Sequence, residues 1–311
     1  MFRVPIPVLS VPLVLAASPA LGWNAVGHMA VAAIAYDQLT LAAKAKVKEL
    51  LKLNPDYATW IAEAGSNDPD KVAFMRAAHW PDDIKFRKAY DNPDKQGSLG
   101  AGNVVGYGDM KPHKYWHYKD IPFSIDGTSV PAHAKTPNVQ TQIAAMRKLL
   151  GSDASDEVKS YSLSWLNHLV GDVHQPLHAA ARFSAAHKTG DVGGLNVAVC
   201  ASACTDLHSF WDGAVGGAKT TKAAVPVALS LQERLNKSPP KPSLAAKSDE
   251  NVWISESSAL ARTYAYAPPV GTSKDQFTLD ATYVSNAGSI AEKQVALAGV
   301  RLANLINASL K

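Results

Sequence analysis

Cysteine is nearly absent from this chain: Cys200 and Cys204 are the only two in 311 residues. A disulfide-dense scaffold is therefore excluded. A thiolate zinc pair is disfavoured, because neither cysteine sits near the densest histidine run. The expectation is one local disulfide, a minor staple because short loops gain less from closure. Linker-like tracts, low-complexity segments and internal repeats are also missing, so one domain is expected. Gly97 to Gly108 reads as a long loop, and Ser238 to Pro242 as a proline-rich connection between helices. β-branched runs are few and alanine is abundant, which favours helix. Strong charge of either sign is lacking too. The net charge is +4, from 31 basic and 27 acidic residues. That rules out the basic stripe of a duplex-binding protein but is compatible with an anionic substrate.

No membrane span is expected either. The apolar stretch Val8 to Ala17 is short and carries Pro12, with Pro7 just before it. Arg3 supplies a positive start, and Ala20-Leu21-Gly22 is a small-x-small cleavage site. Residues 1–22 therefore read as a signal peptide, and the protein is expected to be secreted or periplasmic. The mature chain would run from 23 to 311, which is 289 residues (311 − 22), with net charge +3 (30 − 27) once Arg3 is removed. Cutting there makes Trp23 the N-terminus. A free α-amine has a pKa of ~7.7–8 and can lose its proton to bind a metal. The amine and carbonyl of Trp23 would then chelate one ion. On the residues alone, Trp23 reads equally well as the first residue of the core.

What the chain does have is a set of zinc-competent residues. They are Trp23, His28, Asp82, His117, His168, Asp172, His178, His208 and Asp212. The densest run is His168-Leu-Val-Gly-Asp172-Val-His-Gln-Pro-Leu-His178, and His208-Ser-Phe-Trp-Asp212 follows. Zinc takes imidazole nitrogen and carboxylate oxygen, and catalytic zinc keeps a position open for water. The cluster points to metal-assisted hydrolysis rather than a structural knot.

The apolar spacing predicts a first helix over Val26 to Leu51 and a short one over Asp70 to Ala78. His79-Trp80-Pro81 is expected to end the second, leaving Asp82 at a bend. Tyr115 to Phe123 is the best candidate for an extended segment. Helices are expected at Pro137 to Leu150, Asp156 to Val173 and Asp206 to Val215. Three more are expected at Thr220 to Leu235, Glu250 to Tyr266 and Ile290 to Leu310. Pro176 breaks the helix before it, and Pro226 is expected to end or restart its own. His168 and Asp172 then share one helix face, and His208 and Asp212 repeat that spacing on another. A single His–Asp pair of this kind is usually a surface ion pair or a hydrogen-bonded core pair, but two pairs plus His178 are harder to dismiss. His113, His133 and His187 read as solvated. His79 reads as supporting or structural. His174 reads as a carboxylate-orienting donor or a satisfied core histidine.

In order along the chain, Trp-x4-His at 23–28, Trp-Pro-Asp at 80–82 and His-Tyr-Lys-Asp at 117–120 precede His-x3-Asp-x5-His at 168–178 and His-x3-Asp at 208–212. Together they resemble the zinc-dependent single-strand-specific nucleases of the S-one/P-one type, which also act as 3′-nucleotidases. The alanine-rich leader suggests a bacterial member. The resemblance spans the mature chain to about Asp212. It implies a mainly α, single-domain, multi-helix fold with few or no strands, shared with zinc phospholipase C. It also implies three Zn2+ ions. Asp82, His117, His168 and Asp172 would hold one ion, and His178, His208 and Asp212 a second. Trp23 and His28 would hold a third, with Asp172 bridging to the first. A zinc cluster supplies a hydroxide near neutral pH. It would attack phosphorus in line with the departing O3′, which zinc stabilises, leaving 5′-phosphorylated products.

Lys85 stands where relatives carry a basic residue facing the phosphate, beside Asp82; fungal members have Arg there, with a bidentate fork that lysine lacks. A surface lysine on a turn is the other reading. Asp120 matches a position that receives the base edge, with Tyr118 as a stacking platform. The loop Gly193 to Val197 is expected near the cluster. The implied substrates are single-stranded nucleic acid and 3′-nucleotides. No protein partner is implied, and a monomer is the default expectation.

Two rivals remain. In zinc phospholipases C the first Trp-to-His spacing is longer and the last ligand pair ends in Glu. Here the spacing is Trp-x4-His and the pair ends in Asp212, which favours the nuclease. A secreted zinc-binding protein without catalysis would take up metal without turnover, but nothing in the chain favours it.

Overall fold

The computed structural model describes residues 22–92 and 94–311. Residues 1–21 of the expected leader, with its Arg3 and its apolar stretch, lie outside the described residues. Helices dominate and strands are short, as expected from the composition. The first half carries α1 (Ala25–Asp37), α2 (Leu41–Leu51), α3 (Tyr57–Ala62) and α4 (Pro69–Asp83). After β1 (Pro122–Ser124) come α5 (Val139–Leu150) and α6 (Asp156–Asp172). The strands β2 (Ala181–Phe183), β3 (Ala198–Cys200) and β4 (Cys204–Asp206) lead into α7 (Leu207–Asp212). Then follow α8 (Thr221–Leu235), α9 (Pro242–Ala245), α10 (Glu250–Leu260), β5 (Phe277–Thr278) and the long α11 (Ala281–Ser309).

The helix α1 is buried on nearly every face and packs against α4, α8 and α11. Its crossing with α11 is close because Gly299 has no side chain: a Cβ there would fall 2.6 Å from the Ile34 side chain. The main core gathers α1, α2, α4, α5, α6 and the inner faces of α8, α10 and α11. All seven tryptophans are buried. Trp116 packs on Trp165, and Trp165 meets the rings of His117 and His168, while Trp80 joins this aromatic group through Tyr161. A second, smaller core lies around Trp211, Leu177, Val199 and Tyr283. Its strands form two small sheets. β1 pairs in parallel with β2, Pro122 opposite Ala181. β3 pairs with β4 antiparallel and with β5 in parallel. Cys200 and Cys204 face each other across the β3–β4 hairpin and form the expected disulfide.

Several boundaries differ from those the sequence predicts. The first helix is two, because Thr40 accepts a hydrogen bond from Ala43 N–H and caps a new start. The helix expected to end at Ala78 continues through Pro81 to Asp83. A proline in the last turn forfeits one backbone bond at a place where the helix is about to stop. Asp82 thus lies on a helical turn rather than at a bend. Helix α8 likewise runs through Pro226. Of the expected extended segment Tyr115 to Phe123 only Pro122 and Phe123 are strand, in Pro122–Ser124, and Lys114–Trp116 is a 3-10 turn. The last helix begins nine residues earlier than its apolar stripe suggested, where Asp280 caps it.

Candidate metal centre

Six chain segments deliver eight of the nine residues to one region. His28 comes from α1, and Asp82 from the last turn of α4. His117 follows the 3-10 turn Lys114–Trp116. The C-terminal half of α6 gives His168 and Asp172, the 3-10 turn Pro176–Ala179 gives His178, and α7 gives His208 and Asp212. Their side chains are buried, with Asp212 the most exposed at 6%. They fall into three donor sets, the first two sharing His168: His28, His168 and Asp172; Asp82, His117 and His168; and His178, His208 and Asp212.

Asp172 is the hub. One oxygen lies 2.9 Å from His117 Nδ1 and 3.0 Å from His168 Nε2. The other lies 3.4 Å from His28 Nε2 and 3.7 Å from His178 Nδ1. His28 stacks on His168 with ring centroids 3.9 Å apart. Gly171 makes room for this, since a Cβ there would sit 2.8 Å from His28 Nδ1. His178 and His208 face each other, Nε2 to Nε2, at 3.0 Å.

Backbone carbonyls orient the rings. His168 Nδ1 donates to Ala78 O at 2.7 Å, His178 Nδ1 to His117 O at 2.7 Å, and His208 Nδ1 to Gly193 O at 2.8 Å. With Nδ1–H committed, the Nε2 lone pair of each points inward, the tautomer that metal-ligating imidazoles adopt. The Gly193 loop thus lies against the cluster, as its glycines suggested. Gly193 has φ +59°, and a Cβ there would come 2.8 Å from Leu177 O, so only glycine fits without strain.

The donors fit a group of metal ions on a direct criterion. Both ring nitrogens of His28, His117 Nε2, Asp82 Oδ2 and Asp172 Oδ1 are buried without a hydrogen-bond partner. Orphaned buried polar atoms are costly and rare, and here His28 Nε2 meets Asp172 Oδ1 at 3.4 Å and Asp82 Oδ2 at 3.9 Å. The electrostatics agree. Burial lowers His28 to about 4 and, with Lys85, lowers His117 to about 3, so both rings are neutral lone-pair donors near pH 7. Burial would raise Asp82, but Lys85 and the histidines hold it well below the carboxylate range. Asp172 is likewise held low by His168 and His178 against its burial. Asp212 goes the other way: burial pushes it up, against a hydrogen bond from Gln175 Nε2 at 2.5 Å, and nearby Asp172 adds to the rise. A cation would relieve that cost directly.

Trp23 is buried, and the chain that follows it is pinned. Asn24 N–H donates to Asp212 O at 3.1 Å, and the Asn24 side chain caps α1. A Cβ built on Gly22 would run into Asp172 Oδ1 and come within 2.9 Å of His28 Nε2. The peptide joining Gly22 to Trp23 therefore sits against the His28–Asp172 pair.

Lys85 is a buried ion-pair partner of Asp82, Nζ to Oδ1 2.8 Å, and not a surface lysine. His79 lies 3.6 Å from Asp82 and 3.5 Å from Asp83, beside the cluster. His174 turns away from it, between Val170 O and Arg301 Nη1, and is a satisfied core histidine. Of the three histidines expected to be solvated, only His133 is exposed. His113 and His187 are buried because their loops fold back on the body. His113 lies between Asp109 and Asp94, and His187 bonds Ser184 and Asn196 O.

Beside the donors lies a cavity of about 700 Å³. Tyr118, Asp120, Phe183, Lys135, Lys188 and His133 are among its lining residues. Its wall is made of the chain segments that follow His117 and His178, joined by the β1–β2 pair and by Lys119 N–H donating to His178 O. Phe183 was not legible as a pocket residue, because only the long-range β1–β2 pairing puts it opposite Ser124. Gln175 was also missed, although it lies inside the His168–His178 run.

A family model described as S1/P1 nuclease matches residues 23–311. Endonuclease 3 of Arabidopsis thaliana is 27% identical over 307 residues, covering 93% of this chain and 89% of that protein. Endonuclease 4 of the same plant is 33% identical over 180 residues, 52% of this chain and 56% of its own length. The family match runs from the residue expected to begin the mature chain, through every donor set, past the end of α11 to residue 311, and the chain belongs to the S1/P1 nuclease family.

Proposed function

We propose that the protein is a secreted, zinc-dependent nuclease. It hydrolyses single-stranded DNA and RNA to 5′-phosphorylated products and removes phosphate from 3′-nucleotides. The observation that carries this reading is the three adjoining donor sets, with buried His28 Nε2, Asp82 Oδ2 and Asp172 Oδ1 left without hydrogen-bond partners among them. Imidazole and carboxylate with no thiolate suit Zn2+ in an open, catalytic arrangement. Asp82, His117, His168 and Asp172 would hold one ion, His178, His208 and Asp212 a second. His28 with the amine and carbonyl of Trp23 would hold a third, Asp172 bridging. Removal of the chain before Trp23 both frees that amine and takes Gly22 from the face of Asp172. When bound, the ions supply a nucleophile at neutral pH and neutralise charge on the leaving O3′.

The residues do the rest. Asp172 holds two sites in register. The carbonyls of Ala78, His117 and Gly193 keep the imidazoles aimed. Lys85 lies on the cluster's edge, where it neutralises a non-bridging phosphate oxygen while steadying Asp82. Trp80, Trp116 and Trp165 exclude water from the back of the cluster and so strengthen its electrostatics. Tyr118 offers a stacking face, and Asp120 a hydrogen-bonding group, to a base in the adjacent cavity. Stacking is worth ~1–3 kcal/mol per base and accepts any sequence. A base that enters a pocket has left the duplex stack, at a few kcal/mol, and this is the source of the single-strand preference.

The test uses the mature protein on single-stranded DNA, single-stranded RNA and phosphatidylcholine vesicles, with and without chelator. Chelator-sensitive release of 5′-nucleotides with vesicles untouched is expected, and His178→Ala should abolish it. Headgroup release with intact nucleic acid would replace the nuclease by a phospholipase. Near-normal turnover and a full zinc complement in His178→Ala would defeat the site assignment.

A further inference from the structure

A second space of about 700 Å³ adjoins the cavity beside the donors. The two meet at the ridge Lys188-Thr189-Gly190, which lines both, and Lys274 and Asn196 line the second alone. The ridge is held in place from several sides. His187 is buried and bonds Ser184 and Asn196 O, and Gly190 N–H donates to His187 O at 3.0 Å. Ala185 N–H donates to Asp126 Oδ2 at 2.9 Å. Gly190 has φ +88°, and a Cβ there would lie 3.0 Å from the Phe183 ring, so glycine lets the loop close on that ring. The segment that carries Lys274 is tied to the same loop. Ser184 Oγ donates to Thr272 O at 3.2 Å, and Arg182 Nη2 to Gly271 O at 2.7 Å. Four lysines line the two spaces, against the single carboxyl of Asp120. Lys119 is engaged by Gln140, and Lys135 offsets the charge of Asp120. Lys188 and Lys274 are exposed and form no ion pair among the described residues.

We propose that this second space continues the substrate groove, with Lys188 and Lys274 holding phosphates of a single strand whose reacting phosphate lies at the metal centre. The proposal rests on the reading of the protein as a nuclease. A solvated surface lysine is common, and one alone would say nothing. These two lie on tethered segments, line one concave space, and meet the candidate site along the ridge. A groove that binds a strand without regard to sequence needs positive charge along the backbone path. It also needs few carboxylates, which would repel phosphate. No acidic side chain lines the second space. The hydroxyl of Thr189 and the amide of Asn196 add neutral donors to the same wall. Ammonium groups neutralise phosphate as point charges and read no base, so the groove would serve DNA and RNA alike. A 3′-nucleotide has no second phosphate to place there. The groove therefore separates the two activities: it adds to the binding of polymers and not to that of mononucleotides.

The experiment compares the zinc-loaded mature protein with its Lys188→Gln/Lys274→Gln variant on a thymidine oligonucleotide and on adenosine 3′-monophosphate, from about 50 to 200 mM salt. One readout is the ratio of kcat/KM for the oligonucleotide to that for the mononucleotide. Faults in the metal cluster lower both and divide out. The ratio should fall about fivefold at the lowest salt, as expected for two exposed charge pairs. The second readout is the slope of log kcat/KM for the oligonucleotide against log salt. It should flatten by about 1.4, since each phosphate contact on a single strand contributes about 0.7. Lys222→Gln/Lys237→Gln removes the same two charges from outside both spaces and should leave ratio and slope as in the wild type. An unchanged ratio and slope in the groove variant would overturn the proposal, and so would an equal fall in the control variant. If the wild type leaves the oligonucleotide intact, the nuclease reading has failed. Fluorescence anisotropy of the labelled oligonucleotide on the same three proteins then reads the groove by itself. Binding that the groove substitutions leave intact, or that both pairs weaken equally, would overturn the groove as well.

Discussion

At His113 an imidazole lies between two buried carboxylates, Asp109 Oδ2 at 2.5 Å and Asp94 Oδ2 at 3.3 Å. At His168 another lies between Asp172 Oδ2 at 3.0 Å and Asp82 Oδ1 at 3.7 Å. Both rings are almost fully buried, and both clusters hold one imidazole between two aspartates. The first closes on itself. Both nitrogens of His113 face a carboxylate, Tyr115 Oη donates to Asp94 at 2.5 Å, and the ring stacks on Trp116 with centroids 3.5 Å apart. Burial would lower the His113 pKa, but Asp109 and Asp94 outweigh it and raise it. The ring is a charged clamp that ties the loop around residues 94–113 to the core. The second cluster is left open. It brings more imidazoles to the same carboxylates, keeps two of them neutral, and strands several lone pairs without partners. Residue types alone do not separate a metal site from an ion-pair clamp. The separation comes from which polar atoms remain unsatisfied and whether they converge.

Breaking the hub of the open cluster should have the largest effect. Asp172→Ala is expected to lose at least two ions and to lower turnover by about a thousandfold or more, roughly 4 kcal/mol of transition-state stabilisation. Mass-spectrometric metal content measured beside the assay checks this. Three ions and normal turnover in the variant would show that Asp172 is no ligand. Breaking the closed cluster should do something different in kind. His113→Gln leaves Asp94 and Asp109 buried without their cation, at a cost of about 3 kcal/mol in stability. Metal content and turnover per folded molecule should stay as in the wild type. A loss of zinc without loss of stability would mean that the clamp had been misread.

The clamp also carries a pH signature. Its folded pKa lies above the unfolded value of about 6.5, so its contribution is complete below that pH. It fades as pH rises through the folded value. Denaturant unfolding of wild type and His113→Gln should therefore differ most near pH 6 and converge above the folded His113 pKa. A gap that widens with pH would place the proton elsewhere.

Much of the open cluster was legible in the chain, because its members are tied to local structure. His168 and Asp172 share a helix face through 3.6-residue periodicity, and Pro176 turns the chain so that His178 approaches from another side. The helices around them were legible for the same reason: α6 starts at the expected Asp156, and α5 starts two residues after the expected Pro137, where Asn138 caps it. The closed cluster was not legible. His113 stands in a polar, glycine-rich region, where solvent is the default, and its partner Asp94 lies nineteen residues upstream in an irregular loop. Helix ends were misjudged where proline was taken as a stop. Pro81 and Pro226 both lie inside helices, because tertiary packing of the flanking turns outweighs one lost backbone bond.

His174 is the sharpest probe of the contrast, because it sits between two ligand candidates and belongs to neither cluster. From Asp172 to His178 the chain leaves α6 and enters a 3-10 turn, so consecutive polar residues point in opposite directions. Asp172 points to the donors, while His174 packs on Trp253 and meets Arg301 Nη1 at 2.8 Å. Burial and the Arg301 charge lower it to about 3, so it is a neutral acceptor at any working pH. Arg301 keeps Glu256 and Leu244 O without it. His174→Gln retains an acceptor and should cost only about 1 kcal/mol, the net worth of one hydrogen bond. Zinc stoichiometry and the pH profile of turnover should be unchanged. A displaced zinc, or an altered profile at constant stability, would move His174 from the core into the machinery that positions Asp172.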